Sequence, residues 1–258
     1  MPAAFIGHGS PMNAIEDTAY SRAWTELGQR LPRPKAILAV SAHWVTQGPA
    51  VTAQDHPPTI HDFGRFPQAL FDVQYPAPGS EALTARVAAL LAPVQVKPAQ
   101  DWGLDHGVWS VLTHMYPQAD IPVVQLSLDA GLDGRGHYDL ARALRPLRDE
   151  GVLILASGNV VHNLAAADFQ GAAPPHRWAE RFEAAALAAI RVRDHASLMQ
   201  PATLDGPQSA ALAIQGPEHY LPLLYALAQQ DEDEPAEILL DGVVMAAMSM
   251  ASVVLGQA

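Results

Sequence analysis

The sequence predicts an α/β domain built around a mostly parallel central sheet flanked by helices. Short runs of β-branched and small apolar residues alternate with longer amphipathic segments, which is typical of strands joined by helical crossovers. The chain has 258 residues, of which 49% are apolar, so it is long enough for one large domain that buries most of its surface. We therefore expect residues 1–258 to fold as a single domain.

The predicted strands are short apolar segments with the composition of buried strands. In the C-terminal part of the chain, the dipeptide Asp241-Gly242 is a hairpin-turn signal, so residues 238–240 and 243–255 are predicted to pair as a hairpin. The remaining predicted strands are residues 3–6, 36–41, 50–53, 94–97, 123–128 and 152–156.

The predicted helices carry apolar residues at helical spacing, as Tyr20, Trp24 and Leu27 do in the first of them. Gly151 ends the fourth helix. The proline-rich segment 57–78 is predicted as a long loop, and loops of this length commonly line sites or interfaces. The helical segments are residues 16–30, 81–91, 108–115, 138–150, 178–193 and 218–229.

Composition excludes several classes of function. The chain has 15 lysines and arginines and 27 acidic residues. Electrostatic binding to nucleic acid of any sequence, or to anionic lipid, is therefore not expected. The chain has no cysteine, which excludes disulfides, cysteine-ligated metals and thiol nucleophiles. The apolar segment 243–255 is shorter than the ~20 residues that span a bilayer, and the start lacks the basic segment of a signal peptide. We expect a cytoplasmic protein, and the oligomeric state stays open.

Several catalytic motifs are absent from the sequence. It contains no glycine-rich dinucleotide or phosphate loop, so it gives no support for nucleotide binding. It also contains no G-x-S-x-G nucleophile elbow and no H-E-x-x-H zinc motif. Ser10 in GHGSP therefore has no elbow to present it as a nucleophile.

Three histidines follow predicted strands directly: His8, His43 and His162. The carboxyl ends of parallel strands lie at one edge of the sheet, where ligands bind, so these imidazoles are expected to converge. A single histidine at a strand end more often bonds to backbone, but three in the same context favour a metal or acid–base site. A histidine site without thiolates suits zinc or non-haem Fe(II).

Two further histidines each have two interpretations. Asp105-His106 is either an acid–base pair or a helix start capped by Asp105. Glu218-His219 is either part of the site or a capping pair at the surface. His61, in the long loop, is a candidate substrate contact. The remaining histidines are expected at the surface or in packing roles: His56, His114, His137, His176 and His195.

Six motifs in order and spacing carry a resemblance to a known family. They are GHGSP, SAHW, PPTIHDFGRFPQALFDVQYPAPG, GLDHGVWSVL, ASGNVVHNL and PEHYLPLLYAL. The chain resembles the class III extradiol ring-cleavage dioxygenases, most closely the 4,5-DOPA dioxygenase-like branch, which is related to the catalytic subunit of protocatechuate 4,5-dioxygenase. The resemblance runs from Phe5 to the C-terminus and implies one catalytic α/β domain over residues 1–258, with a metal site at the carboxyl ends of the strands.

The resemblance also implies roles for individual histidines. His8 and His43 match the metal-binding histidines of the family, and His106 and His162 match its acid–base histidines. His162 is expected to reach the metal as well when no substrate is bound. Many members complete the metal site with a glutamate; in this branch His219 is expected there.

On the same resemblance, Glu218 is kept as the alternative ligand to His219, and His61 and Tyr220 are candidates for substrate contact. Arg65 is the only basic residue near them that could meet a substrate carboxylate.

The implied reaction is extradiol cleavage of a small aromatic diol by O₂, with L-DOPA as one candidate substrate. The implied cofactor is Fe(II) in the active enzyme and Zn(II) in isolated protein, and a set of neutral histidine ligands favours zinc more than a carboxylate set does. A catechol that coordinates through both oxygens becomes easier to deprotonate, and a neutral histidine can accept that proton. The alternatives are a zinc-dependent hydrolase and a non-enzymatic binding protein on the same fold.

Overall fold

A computed structural model describes residues 1–256 of the chain. Its central sheet has eight strands in the order β4-β3-β5-β2-β6-β1-β10-β7. A separate ribbon pairs β8 (Val243–Val244) with β9 (Met248–Ser249). The strands of the central sheet are β1 (Ala3–Gly7), β2 (Ala36–Thr46), β3 (Ala50–Thr52), β4 (Lys97–Ala99), β5 (Val123–Asp129), β6 (Val152–Gly158), β7 (Ala236–Leu240) and β10 (Ser252–Leu255).

The middle of the sheet is parallel. Strand β6 pairs in parallel with β1 and β2, and β2 pairs in parallel with β5. The antiparallel pairs are β1 with β10, β10 with β7, and β3 with β5. The predicted α/β class with a mostly parallel sheet is confirmed.

Helices cover both faces of the sheet, and the alternation of side chains along β1 shows how. Ala3 and Phe5 belong to one buried cluster, whereas Ala4 and Ile6 belong to the other. Trp24 and Trp109 fill the second cluster. The helices are α1 (Ala19–Arg30), α2 (Gln68–Phe71), α3 (Glu81–Leu91), α4 (His106–Met115), α5 (Gly134–Arg142), α6 (Pro146–Asp149), α7 (Arg177–Arg191), α8 (His195–Met199), α9 (Pro207–Ala213) and α10 (Leu221–Leu227).

The helix predictions differ from the structure where proline falls inside them. The predicted helix 138–150 is two helices, α5 and α6, because Pro146 lacks an N–H and starts a new helix. The predicted helix 218–229 is shorter than expected, since a 3₁₀ turn (Pro217–His219) comes before α10. The predicted loop 57–78 contains the short helix α2, and α8 and α9 were not predicted.

The strand predictions differ from the structure in two places. Residues 94–97 do not form the predicted strand, because β4 begins at Lys97 and pairs with β3. The C-terminal hairpin is present in part: Gly242 makes a left-handed turn, with φ 103°, and β7 pairs antiparallel with β10 at the end of the predicted segment 243–255, but β8 and β9 form a separate ribbon instead of extending the pairing. No helix within residues 1–256 has the length and apolarity needed to cross a membrane.

Candidate active site

Five histidines reach one cavity at the carboxyl ends of the parallel strands. His8 directly follows β1, His43 lies in β2, and His106 is the first residue of α4. His162 follows β6, and His219 ends the 3₁₀ turn before α10. All five line a cavity of about 690 Å³. The convergence expected from the strand ends is therefore present, and two further histidines join it.

Hydrogen bonds define the tautomer of His8. Its Nδ1 lies 2.9 Å from the hydroxyl oxygen of Ser157. That hydroxyl donates its only proton to the carbonyl of Gly107, so it accepts from His8, which must carry its proton on Nδ1. The Nε2 of His8 is left with a free lone pair.

A carboxylate fixes the neighbouring rings. Oδ1 of Asp62 accepts hydrogen bonds from the backbone N–H and from Nδ1 of His106, each at 2.9 Å. Oδ2 of Asp62 lies 3.2 Å from Nδ1 of His43. The hydrogen bond from His106 keeps its proton on Nδ1, and the nearby carboxylate oxygen favours the same tautomer for His43. The Nε2 atoms of His43 and His8 face each other at 3.2 Å, and two lone pairs at that distance repel unless a cation lies between them.

The spacing of the rings fits a metal ion. With a metal–nitrogen distance of about 2.1 Å, two imidazoles at a tetrahedral angle have ring centres about 5.2 Å apart. The centres of His8 and His43 are 5.1 Å apart, those of His43 and His219 are 5.0 Å apart, and those of His8 and His219 are 5.6 Å apart. His8, His43 and His219 thus form a nearly equilateral triangle of the right size.

A different triad has the shorter distances between ligand atoms. One nitrogen each of His8, His43 and His106 lies within 4.8 Å of the others. The ring centres of His43 and His106 are only 3.9 Å apart, however, which is too close for two ligands of one tetrahedral ion. The two triads share His8 and His43 and differ in whether His106 or His219 provides the third nitrogen.

His162 and His219 form a stacked pair, with ring centres 3.5 Å apart and an interplanar angle of 3°. Nδ1 of His219 is buried without a hydrogen-bond partner among the described residues and lies 3.6 Å from Glu218. Glu218 itself does not line the cavity. Gly158 permits this arrangement, since a Cβ there would overlap the carbonyl oxygen of His219.

Burial governs the protonation of the cluster. Burial, with mutual repulsion between the rings, holds the pKa of His8 and of His43 well below the ordinary value. Burial and the neighbouring His219 lower the pKa of His162 to about 3. Burial alone would raise the pKa of Asp62, but hydrogen bonds from His106 outweigh it and hold that pKa below its usual range. The neutral imidazoles of His8, His43 and His162 thus share the cavity with one ionised carboxylate, a donor set suited to a divalent cation.

Two residues predicted to contact substrate lie away from the cavity wall. The ring of His61 packs on Trp109, and its Nε2 lies 3.0 Å from the carbonyl of Val73. Tyr220 is buried, and its hydroxyl donates to the carbonyl of Leu198 at 2.9 Å. Neither side chain is among those that line the cavity.

Asp105 adopts neither predicted role. It occupies the N-cap position of α4, but its side chain makes no capping bond. The buried carboxyl instead accepts hydrogen bonds from Ser41 and Gln125, and burial raises its pKa to about 6. The carboxylate that pairs with His106 is Asp62, which the sequence analysis did not single out.

The cavity walls are apolar and aromatic. Phe63 and Phe66 come from the long loop, and Phe169 comes from the loop after β6. Arg65 also lines the cavity; it is exposed, and within residues 1–256 its side chain makes no hydrogen bond or ion pair. Arg65 was predicted to meet a substrate carboxylate and does line the cavity, whereas Asp62 was missed, although an acid among loop aromatics is a signal that could have identified it.

Comparisons with known proteins assign the family. Residues 2–256 match the family described as the catalytic LigB subunit of aromatic ring-opening dioxygenase. The chain belongs to this family. As a LigB-family protein it is an enzyme of the ring-cleaving dioxygenase class, and both the resemblance and the enzyme class predicted from the motifs are confirmed. Enzymes of this family depend on a metal, and the histidine cluster provides a place for one.

Individual relatives span the full length of the LigB-family domain. A protein of Escherichia coli (strain K12) named 4,5-DOPA dioxygenase extradiol is 49% identical over 257 residues, which cover 99% of this chain and 95% of that protein. A Beta vulgaris protein of the same name is 40% identical, covering 93% and 92%. The crystal structure of an uncharacterized protein from Escherichia coli K12 superposes with a TM-score of 0.85 at 46% identity, covering 99% of this chain and 100% of the other.

Proposed function

We propose that this enzyme cleaves the ring of a catechol beside its two hydroxyl groups, with L-DOPA or a close analogue as substrate. The observation that carries the proposal is the cavity itself, where imidazole lone pairs converge beneath apolar and aromatic walls. An aromatic diol matches both parts of that cavity. Full-length similarity to proteins named 4,5-DOPA dioxygenase extradiol supports the choice of substrate.

His8, His43 and His219 would hold the metal ion, because their rings have the spacing of ligands that share one ion. Glu218 is the weaker alternative, since it lies outside the cavity wall. When bound, the metal supplies Lewis acidity, which makes a catechol easier to deprotonate. We expect Fe(II) in the active enzyme and Zn(II) in protein isolated without added iron.

The remaining histidines would move protons. His162 is neutral and stacks against His219, so its ring can accept the proton of a catechol hydroxyl; that it also reaches the metal when no substrate is bound stays an expectation. His106 has its Nδ1 bound to Asp62, so its Nε2 carries a lone pair that can first accept a proton and then return it as the ring opens. The C–C bond beside the hydroxyl pair breaks, both atoms of O₂ enter the product, and no external reductant is required.

Substrate selection would depend on the loops at the cavity mouth. Phe63, Phe66 and Phe169 provide apolar surface for the aromatic ring. Arg65 is the single lysine or arginine among the lining residues, and a carboxylate on the substrate side chain can pair with it. His61 and Tyr220 do not line the cavity, so we assign the substrate contacts to the four loop residues instead.

The test is oxygen uptake by protein purified without oxygen and loaded with Fe(II), measured on a panel of catechols that includes L-DOPA. We expect uptake with formation of a yellow ring-opened product, and a lower KM for catechols that carry a carboxylate. Zinc-loaded protein is the control and should consume no oxygen.

Absence of uptake on every catechol, with iron shown to be bound, would overturn the proposal. Hydrolysis supported by zinc without oxygen consumption would favour the hydrolase alternative. Tight binding of a catechol without turnover by the iron-loaded protein would favour a binding role. A cytoplasmic location and the oligomeric state stay outside this test.

A further inference from the structure

We propose that Asp62 is a positioning residue that orients His43 and His106 together and supplies the negative charge that the histidine donor set lacks. The inference rests on the proposed metal-dependent function of this cavity. It concerns the order and charge of the site, and it can therefore be tested without turnover.

The contacts of Asp62 use both carboxylate oxygens. One oxygen accepts two hydrogen bonds from His106, from the backbone N–H and from Nδ1, each at 2.9 Å. The other lies 3.2 Å from Nδ1 of His43. The Asp62 side chain is 15% exposed, so water competes little for these positions. One carboxylate thus holds two rings at once.

The bridge determines which nitrogen each ring offers to the cavity. A carboxylate accepts hydrogen bonds and donates none, so Nδ1 of His106 must carry its proton, and the second oxygen favours a proton on Nδ1 of His43. Nε2 of His43 is then left as the nitrogen with a lone pair, directed at Nε2 of His8. Carboxylates that orient histidine ligands in this way commonly strengthen metal binding.

Asp62 also brings negative charge to the cavity. Among the residues that line the cavity, Asp62 is the only acidic one. If the ligands were neutral histidines alone, both positive charges of a bound divalent ion would remain uncompensated. A carboxylate in contact with one ligand ring, and with a second ring beside it, offsets part of that charge.

The long loop makes this placement possible. Asp62 and His106 are 44 positions apart in sequence, and the loop is anchored next to them by the bond from the indole N–H of Trp109 to the carbonyl of Ile60 at 2.8 Å. The neighbouring bridge between Thr59 and Leu104 joins the same two segments. The carboxylate is thus delivered by a segment fixed to α4, the helix that carries His106.

Two variants separate the two contacts. In Asp62→Asn, the amide oxygen can still accept from His106, but its NH₂ group would face Nδ1 of His43. We expect the His43 ring to change tautomer in this variant while His106 keeps its own. In Asp62→Ala both rings lose their partner, and we expect a mixture of tautomers for both. The measurement is ¹⁵N chemical shifts of the histidine side chains in metal-free protein.

Metal affinity provides the second readout. Competition titrations with a chelator, with Zn(II) and with Fe(II), should show binding weakened by about 10–100-fold in Asp62→Asn and at least as much in Asp62→Ala. The matched control is Asp72→Asn, which removes a charge from the same loop where the carboxylate only accepts from Gln68; its affinity should stay within about twofold.

Unchanged tautomers together with unchanged metal affinity in Asp62→Asn would overturn the inference. Asp62→Asn is nearly isosteric, so it keeps the test usable if Asp62→Ala fails to fold. Because both readouts omit the substrate, a failure of the proposed ring cleavage would leave them intact, and a failure here would leave the oxygen-uptake result intact.

Discussion

The buried polar groups at the two ends of the central parallel strands differ in whether they have hydrogen-bond partners. At the amino end, the buried guanidinium of Arg148 donates to the carbonyls of Met1 and Gln229 and to both carboxylate oxygens of Glu234. Leu255 provides a further carbonyl at 3.5 Å. At the carboxyl end, imidazole nitrogens face one another, and Nδ1 of His219 has no partner among the described residues.

The difference separates stability from function. The guanidinium of Arg148 has hydrogen-bond acceptors from the first residue of the chain, from the segment after α10 and from the end of β10. It therefore connects segments that are distant in sequence. In the histidine cluster, the lone pairs that face the cavity gain a partner only when a ligand such as a metal ion binds there. A buried polar group with all its partners supports the fold, whereas one that lacks a partner marks the place where a ligand belongs.

The largest expected effect lies at the histidine end. We expect His8→Ala to lose tight metal binding and to reduce turnover by at least about 10³-fold, because Lewis-acid activation contributes several kcal/mol. The free energy of unfolding of the metal-free protein should change by less than about 1 kcal/mol, since the substitution removes a ring from a mutually repulsive group. Metal content, turnover and urea unfolding measure the three quantities. The exposed His56→Ala should match wild type in all three.

A second substitution at the same end should separate metal binding from proton transfer. We expect His162→Ala to lower kcat by about 10²–10⁴-fold, the usual contribution of a positioned acid–base group, while most of the metal stays bound. His219→Ala should instead release the metal. Measuring kcat beside metal content for the two variants decides the assignment, and retained turnover in His162→Ala would remove this histidine from the catalytic set.

Much of the histidine end is predictable because its information is local. His8 directly follows β1, His43 lies in the second half of β2, and His162 lies in the loop after β6; strands of a parallel sheet share one edge, so their convergence follows from the fold class alone. Asp62 is different. Its partner His106 is 44 positions away, and only the path of the loop decides that Asp62, rather than the adjacent His61, points into the cavity.

The errors in the fold have the same origin. The turn at Gly242 is encoded locally, and its φ of 103° shows that the signal is genuine. The pairing of β7 is set by β10, which itself pairs with β1 at the start of the chain. The turn signal thus predicts the change of direction and a partner within residues 243–255, but not that β8 and β9 leave the central sheet to form their own ribbon.

The amino end should respond in the opposite way to the histidine end. We expect Arg148→Met to lower the free energy of unfolding by about 3–5 kcal/mol, because it leaves Glu234 as a buried charge without its partner. Metal affinity and turnover of the folded protein at low temperature should stay within about twofold of wild type. Urea unfolding and metal titration are the measurements. A variant that unfolds normally but loses metal would contradict the division between the two ends.

A smaller effect is expected at the cavity mouth. We expect Arg65→Gln to raise the KM for L-DOPA by about tenfold, the loss of one hydrogen bond to a charged group, with little change in kcat. The KM for 4-methylcatechol, which lacks a carboxylate, should stay unchanged. An equal rise for both substrates would show that Arg65 shapes the loop instead of reading the carboxylate. Arg22→Gln, on the exposed surface of α1, is the control.

The smallest effect is expected for a buried acid near the histidine end that, unlike His219, has hydrogen-bond partners. Glu183 accepts from the Ser249 hydroxyl at 2.6 Å and from the Gly242 N–H at 3.1 Å, so it anchors the ribbon formed by β8 and β9. Burial raises its pKa, and the nearby Asp241 and Glu180 add to the rise while the two hydrogen bonds oppose it.

Because folding raises this pKa, the native state holds the proton more tightly than the unfolded chain does. The stability that Glu183 contributes is therefore present at acidic pH, below its ordinary carboxyl pKa, and is lost as pH rises through the native value. We expect Glu183→Gln to change the unfolding free energy at pH 7 by less than about 1 kcal/mol and to flatten its pH dependence between pH 4 and pH 7. Urea unfolding across that range measures the effect, with the exposed Glu26→Gln on α1 as control. An unaltered pH profile in Glu183→Gln would mean that the carboxyl titrates alike in both states, and the ribbon would then belong with the fully satisfied groups of the amino end.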